Sequence, residues 1–365
     1  MARALETDYG NPSSLHPRGL AAEKMIEEAR EGLARVVSCH GDEIYFTSGG
    51  TEANNWACFG LSALRERRGR RIITTAMEHP SISEPLRRLG ERGFEIVALP
   101  VSREGEISLE DLSEALSIDT ILVSVMWVNN EVGSVQPLAN MGALIKERSP
   151  HAVFHVDGVQ GLGKLKADLS TVDALSLSGH KLNGPKGIGA LYLKRGVRIE
   201  PWLLGGEQES KLRAGTENVP GILGLAKAAT LTRERSQGLR VLRERLVAGL
   251  EGIEGFQLNG PSLDRGAPHI VNASFAGVAR GEVLVRALAE RQVYVSTGSA
   301  CHSRRPQASH VLEAMGLRGN ALTGAIRYSL SAMNTELEVD HAIHATAEAV
   351  AQVRIMPRGR RGRNS

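Results

Sequence analysis

The chain has 365 residues, 44 Lys+Arg against 41 Asp+Glu, 42% hydrophobic residues, 40 Gly and 3 Cys. That length suits about two domains whose cores need no disulfide staples, and three scattered cysteines without a CxxC pair argue against a zinc or disulfide framework and for a reducing, cytoplasmic setting. No run of about 18 apolar residues and no apolar leader is present, which excludes membrane-spanning and disulfide-rich secreted classes, and the composition is neither collagen-like nor disordered.

Charge is unevenly spread. Residues 354–365 carry five arginines and no acid, so the rest of the chain is slightly acidic. A short Arg/Gly stretch of this kind reads as a basic, disordered, solvated tail, and no nucleic-acid partner is expected from it. The RERRGRR cluster at 65–71 reads the same way, as an exposed helix end and loop. With only nine lysines in the chain, each one is informative.

From residue 43 short apolar runs alternate with helical ones. EIYF (43–46) leads through TSGGT into a helical stretch over 52–66. RIITTAM (71–77), EIVALPV (95–101) and TILVSVMWV (120–128) each precede an amphipathic segment, and AVFHVD (152–157) follows. Nearly continuous β-branched runs separated by amphipathic segments of about 10–15 residues predict an α/β domain, its mainly parallel sheet covered on both faces by helices. ALSLS (174–178) and KGIGALYLK (186–194), joined by a Gly/Pro turn, predict a closing hairpin. Beyond residue 233 two long helical stretches (238–253 and 335–353) flank separated strands at 269–275 and 325–330, with a further helix over 281–292. The organisation expected is a large domain over 1–233, a smaller α+β domain over 234–353 and the tail over 354–365.

In open α/β sheets ligands bind beyond the carboxyl ends of the strands. The residues following each strand are Ser48-Gly49-Gly50-Thr51, Glu78-His79, Asn129-Asn130-Glu131, Asp157 with Gln160, and Ser178-Gly179-His180-Lys181. Taken singly these read as a helix cap, a loop histidine, a turn carboxylate and a solvated lysine. Together on one ledge they supply an amine for a Schiff base, an acid for a pyridinium nitrogen and an anion cradle, the set that pyridoxal phosphate requires. GVQGLGKL (158–165) fits the phosphate loop of NTPases up to Lys164, but Leu165 stands where Ser or Thr must reach magnesium. No G-x-G-x-x-G follows the first strand, and no metal site is expected.

Cys301 is a second focus. Its neighbours in STGSACHSRR are small and polar, and His302, Arg304 and Arg305 favour a thiolate, whereas Cys39 and Cys58 sit in apolar-periodic segments and read as buried and inert.

FTSGGTEANN, HVDGVQ, SGHKLNGPKGIGALYLK, RAGTENVP and STGSACHS resemble, in order, the marker segments of the cysteine desulfurases, fold-type I pyridoxal-phosphate enzymes of the aminotransferase class V group. The resemblance runs from Gly10 to beyond Arg327. It implies that Lys181 holds the cofactor, Asp157 pairs with its ring nitrogen, Gln160 with its ring hydroxyl, and His79 stacks on the ring and helps proton transfer. Gly50, Thr51, Ser178 and His180 would hold the phosphate, with Thr216 reaching across from a second subunit of a homodimer. Asn130 and Arg327 would fix the substrate carboxylate. L-cysteine would give alanine while Cys301 becomes a persulfide. That sulfur would pass to an acceptor protein, a cluster scaffold or sulfur carrier, for iron–sulfur clusters, thio-cofactors or modified tRNA.

Several positions depart from the family pattern. The family's large domain opens with a short strand ending in Ala-Thr-Thr, and this sequence starts after it. Asn183 replaces a common aromatic, Glu207 interrupts a triple glycine, and Ser210 and Lys211 stand where an arginine is typical. His302 also occurs in selenocysteine lyases. A selenocysteine lyase and a truncated, non-catalytic cofactor-binding partner protein are therefore the alternative readings.

Overall fold

A computed structural model describes residues 1–166, 168–298 and 308–355. Its contacts divide the chain into two compact units. The first comprises residues 1–102, 106–130 and 134–237; the second comprises 103–105, 131–133 and the chain from 238 onward.

The first unit is built on a seven-stranded sheet. Its strands are β1 (Ile44–Thr47), β2 (Arg71–Thr75), β3 (Glu95–Leu99), β4 (Thr120–Met126), β5 (Val153–Asp157), β6 (Ala174–Ser178) and β7 (Gly189–Leu193), in the order β1-β7-β6-β5-β4-β2-β3. The pairs β3–β2, β2–β4, β4–β5 and β5–β6 are parallel, whereas β7 is antiparallel to both neighbours, β6 and β1. Six strands therefore run one way and end on a common edge. At that edge Gly189, the first residue of β7, lies opposite both Thr47 and Ser178, the last residues of β1 and β6. Every residue of β4, β5, β6 and β7 is buried, as expected of strands covered on both faces. The hairpin expected from residues 174–194 is the β6–β7 pair, turning at Gly187 with φ +75°.

Two helices position the site. The helix Gly50–Ala63 buries Ala53, Asn54, Trp56, Ala57, Cys58 and Leu61. The helix Pro80–Gly90 starts with His79 as its N-cap, whose Nδ1 accepts from Ser81 N at 3.1 Å, and with Pro80 at its first position. Pro85 inside this helix cannot donate to the Ser81 carbonyl four residues back. Asn55 Nδ2 supplies that carbonyl with a donor at 3.3 Å.

The second unit carries an antiparallel sheet of β8 (Phe256–Asn259), β9 (Ile270–Phe275) and β10 (Ile326–Ser329), in the order β10-β9-β8. The helices Leu239–Glu251, Gly281–Ala289 and Glu336–Ile355 contribute Leu246, Leu250, Leu284, Leu288 and Val350 to a core with Phe275, Ile326 and Tyr328. Two expectations need correction. β8 is absent from the sequence reading because four residues, three of them only half-buried, carry too weak an alternation. Arg354 and Ile355, assigned by composition to the tail, are helical, and Arg354 donates to the carbonyls of Ala276 (2.9 Å) and Glu254 (2.5 Å). Among the described residues no helix is long and apolar enough to cross a membrane.

Candidate active site

The common edge of the large sheet gathers most of the residues singled out by sequence. Asp157 ends β5 and is 6% exposed. Its Oδ1 accepts from Val159 N at 3.0 Å and its Oδ2 from Asn54 Nδ2 at 2.8 Å. The same Asn54 nitrogen donates to Ser81 Oγ at 2.8 Å, and Ser81 Oγ lies 2.8 Å from His79 Nδ1. A continuous polar run thus links the capping histidine to the buried carboxylate. Since His79 Nδ1 accepts from the Ser81 amide, Nε2 is the ring nitrogen left to carry a proton. Burial raises the Asp157 pKa, opposed by its two hydrogen bonds and by the positive potential of His79 and Lys181. A buried carboxylate held by neutral donors suits a cationic ring nitrogen.

The candidate anion cradle lies where β1 and β6 end and β7 begins. A Cβ on Gly50 would lie 2.6 Å from Val159 Cγ2 and 3.3 Å from Ser178 Cβ, so glycine is required for this approach. A Cβ on Gly189 would lie 2.6 Å from the Gly49 main chain. The start of helix Gly50–Ala63, with Thr51 exposed, thus lies close to Ser178, and the first amides of a helix have no carbonyl partner within it. Ser178 Oγ pairs with His180 Nδ1 at 2.9 Å. Burial and the cations Lys181, Lys186 and Lys164 lower the His180 pKa, which favours the neutral ring that can share a proton with Ser178.

Lys181 lies half-buried in the 3-10 turn Gly179–Leu182, which closes at Asn183 in the left-handed region (φ 60°). Asn is among the residues that tolerate that conformation. Gln160 is buried after β5, and Asn130 is half-buried after β4. Thr216 is exposed in a cavity of about 230 Å³ that also exposes Ser48, Gly187 and Arg213. Arg213 anchors this wall through Glu52, at 2.8 and 3.2 Å. The donor set and the glycine cradle fit pyridoxal phosphate.

Two further candidates do not belong to the first unit. Arg327 belongs to the second unit, half-buried on β10 opposite Asn272, and its backbone exchanges hydrogen bonds with Ser296 in both directions (2.6 and 3.2 Å). Cys301, with His302, Arg304 and Arg305, lies outside the described residues. Of the two other cysteines, Cys58 is fully buried as expected, whereas Cys39 is half-buried. Burial and the nearby Glu43, Glu31 and Asp42 push the Cys39 thiol up to about 12, so it stays protonated.

Sequence reasoning missed Asn54, Ser81 and Lys164 as parts of the site, and gave Glu78, named beside His79, no role. Glu78 is 1% exposed; its Oε1 accepts from Thr75 Oγ1 at 2.7 Å and Met126 N at 2.9 Å. Because Met126 is the register partner of Asp157, the two carboxyl groups are neighbours, and burial pushes Glu78 up to about 8. Lys164 donates to the Gln160 carbonyl at 3.4 Å, and burial together with Lys181 lowers it to about 7. Its place in GLGKL was visible, but only as part of a failed phosphate loop.

The family model for aminotransferase class-V matches residues 1–341. The chain is 42% identical over 355 residues to the cysteine desulfurase IscS of Methanosarcina thermophila, covering 96% of this chain and 87% of that protein. It is also 42% identical over 357 residues to the cysteine desulfurase IscS of Clostridium botulinum, covering 96% and 89%. Among solved structures, a NifS-like protein matches with a TM-score of 0.89 at 38% identity, covering 96% and 94%, and DndA from Streptomyces lividans with 0.77 at 40%, covering 90% and 94%.

Proposed function

The chain belongs to the aminotransferase class-V family and is a pyridoxal-phosphate-dependent cysteine desulfurase of fold type I, and from that premise we propose how its own residues divide the work on L-cysteine. When bound, pyridoxal phosphate supplies an electron sink that makes a proton on the substrate Cα removable. Lys181 would hold it, with Asp157 at the ring nitrogen, Gln160 at the ring hydroxyl, His79 on the ring face, and Gly50, Thr51, Ser178 and His180 at the phosphate. The observation that carries this assignment is the hydrogen-bonded run from His79 through Ser81 and Asn54 to Asp157 on the strand edge that also bears Lys181.

Lys181 Nζ takes the Cα proton. Asn130 and Arg327 hold the substrate carboxylate, the guanidinium through its planar fork. The Cys301 thiolate attacks the substrate sulfur, forming an S–S bond as the C–S bond breaks. The carbon keeps the electron pair of the broken bond and takes up a proton. Cysteine plus thiol thus becomes alanine plus persulfide, with no outside oxidant or reductant. We assign the persulfide sulfur to a protein acceptor, a cluster scaffold or sulfur carrier, and the active form to a homodimer in which Thr216 serves the partner's phosphate site, in a reducing cytoplasm.

Alanine and sulfide release from L-cysteine in the presence of a thiol reductant tests this reading. Cys301→Ser is expected to keep the visible absorbance of the bound cofactor and lose sulfide release, whereas Lys181→Ala is expected to lose that absorbance. Full turnover by Cys301→Ser would refute the persulfide route.

A further inference from the structure

We propose that Glu131 is a positioning residue for the segment that carries Cys301, gathering the two ends of that segment on one carboxylate. The proposal rests on the reading of Cys301 as the sulfur acceptor, and its residues all belong to the second unit.

The tripeptide 131–133 is stitched into that unit by its main chain. Asn272 Nδ2 donates to the Glu131 carbonyl at 3.2 Å, and Ala267 N donates to the Gly133 carbonyl at 2.8 Å. Gly133 has φ +76° and a Cβ there would lie 3.1 Å from Ile270 Cβ, so the tripeptide turns tightly against β9. The Glu131 side chain, 4% exposed, is thereby delivered from a fixed backbone.

Its Oε2 meets both flanks of residues 299–307. On the far side Ser309, 5% exposed, donates its hydroxyl to Oε2 at 2.5 Å. The same hydroxyl caps the helix His310–Ala314 by accepting from Leu312 N at 3.2 Å. Glu131 thus orients the cap that starts this helix. On the near side Gly298 passes so close that any Cβ would overlap the same Oε2 atom. Two residues earlier, Ser296 is joined to Arg327 by the paired backbone hydrogen bonds already described. Gly298 and Ser309 therefore both lie against Glu131 Oε2, and Gly298 follows closely on the Ser296–Arg327 pairing.

A short hydrogen bond in a water-poor setting is firm, and fixing both flanks of a chain segment reduces the conformations open to it. Glu131 follows Asn130 directly in sequence, so the strand end expected to contact substrate also furnishes the clamp. It acts through Gly298 and Ser309, not on the substrate. Misplacing a reacting group by about 1 Å can cost on the order of 100-fold in rate, and that is the scale at stake for Cys301.

The test compares Glu131→Ala, Glu131→Gln, Ser309→Ala and Gly298→Ala in the full-length, pyridoxal-phosphate-loaded enzyme. Glu131→Ala and Gly298→Ala are expected to lower kcat for alanine formation about 10- to 100-fold. The cysteine KM should stay within about twofold and the cofactor absorbance should not change, since the loss falls after substrate binding. Single-turnover mass analysis should show persulfide on Cys301 accumulating more slowly by the same factor. Glu131→Gln, which keeps an acceptor for Ser309, should recover part of the rate, and Ser309→Ala should fall in between. Wild-type kcat in both alanine variants at the clamp would overturn the proposal, as would a loss of cofactor absorbance in parallel with activity or no recovery with glutamine. Cys301→Ser in parallel separates the two readings. If it is inactive while Glu131→Ala is unimpaired, the clamp alone fails; if it is active, the acceptor assignment on which the clamp depends fails.

Discussion

Asn54 joins the two halves of the candidate site: its amide nitrogen donates to Ser81 Oγ and to Asp157 Oδ2, both at 2.8 Å. One side chain on the helix Gly50–Ala63 therefore sets both the hydroxyl that pairs with His79 and the carboxylate expected to face the ring nitrogen. A hydrogen bond to a charged group contributes about 1.5–3 kcal/mol. Asn54→Ala is expected to weaken pyridoxal-phosphate binding about 10- to 100-fold, read by titrating apoenzyme and following visible absorbance. Asn54→Asp should be worse, because it sets a second carboxylate against Asp157.

Glu78 makes stability depend on pH in one direction. Burial first, and the charge of Asp157 second, raise its carboxyl from the ordinary 4.5 to about 8. Between those values the folded protein keeps a proton that the unfolded chain has released, so stability falls as pH rises across that window. Glu78→Gln keeps an acceptor for Thr75 and Met126 and removes the titration. Thermal midpoints measured from pH 5 to 9 should show the variant gaining on the wild type as pH rises.

His155 imposes the opposite slope. The ring lies between Ser124 Oγ and Ser176 Oγ, each at 2.9 Å, with no exposed surface, and burial lowers its pKa from 6.5 to about 3. Between those values the unfolded chain binds a proton that the folded protein refuses, so stability falls as pH drops below about 6.5. His155→Gln should cost about 1–3 kcal/mol at pH 7.5 for imperfect pairing of the two serines. That deficit should shrink in urea unfolding at pH 5.

Arg30 and Glu209 form a pair worth testing for fold rather than catalysis. The guanidinium binds the carboxylate at 2.9 and 3.0 Å, donates to the Ile44 carbonyl at 2.6 Å and lies 4.7 Å from the centre of the Phe46 ring. Glu209 also accepts from Phe46 N at 2.8 Å, and its side chain is 2% exposed. Arg30→Ala leaves that carboxylate buried beside a backbone amide. A loss of about 3–5 kcal/mol is expected in urea unfolding, with Glu209→Gln milder because its amide oxygen can still accept from Arg30 or Phe46 N.

Periodicity alone established the alternating strands and helices of the large sheet and the hairpin that closes it, because buried parallel strands must be apolar along their whole length. The principle that ligands bind beyond strand ends then placed Gly50, His79, Asp157, Ser178 and Lys181 on one ledge, since each immediately follows or ends a strand. What the linear pattern could not show is which side chains join them. Asn54 is on a helix face that reads as ordinary packing, and Glu78 looks like a loop acid until the β4–β5 register sets Met126 against Asp157. Strand β8 was too short to announce itself, and residues 131–133 belong to a unit whose main body begins more than a hundred residues later. Hydrogen bonds such as Ser309 to Glu131 span 178 positions of sequence, and only the folded backbone brings their ends within reach.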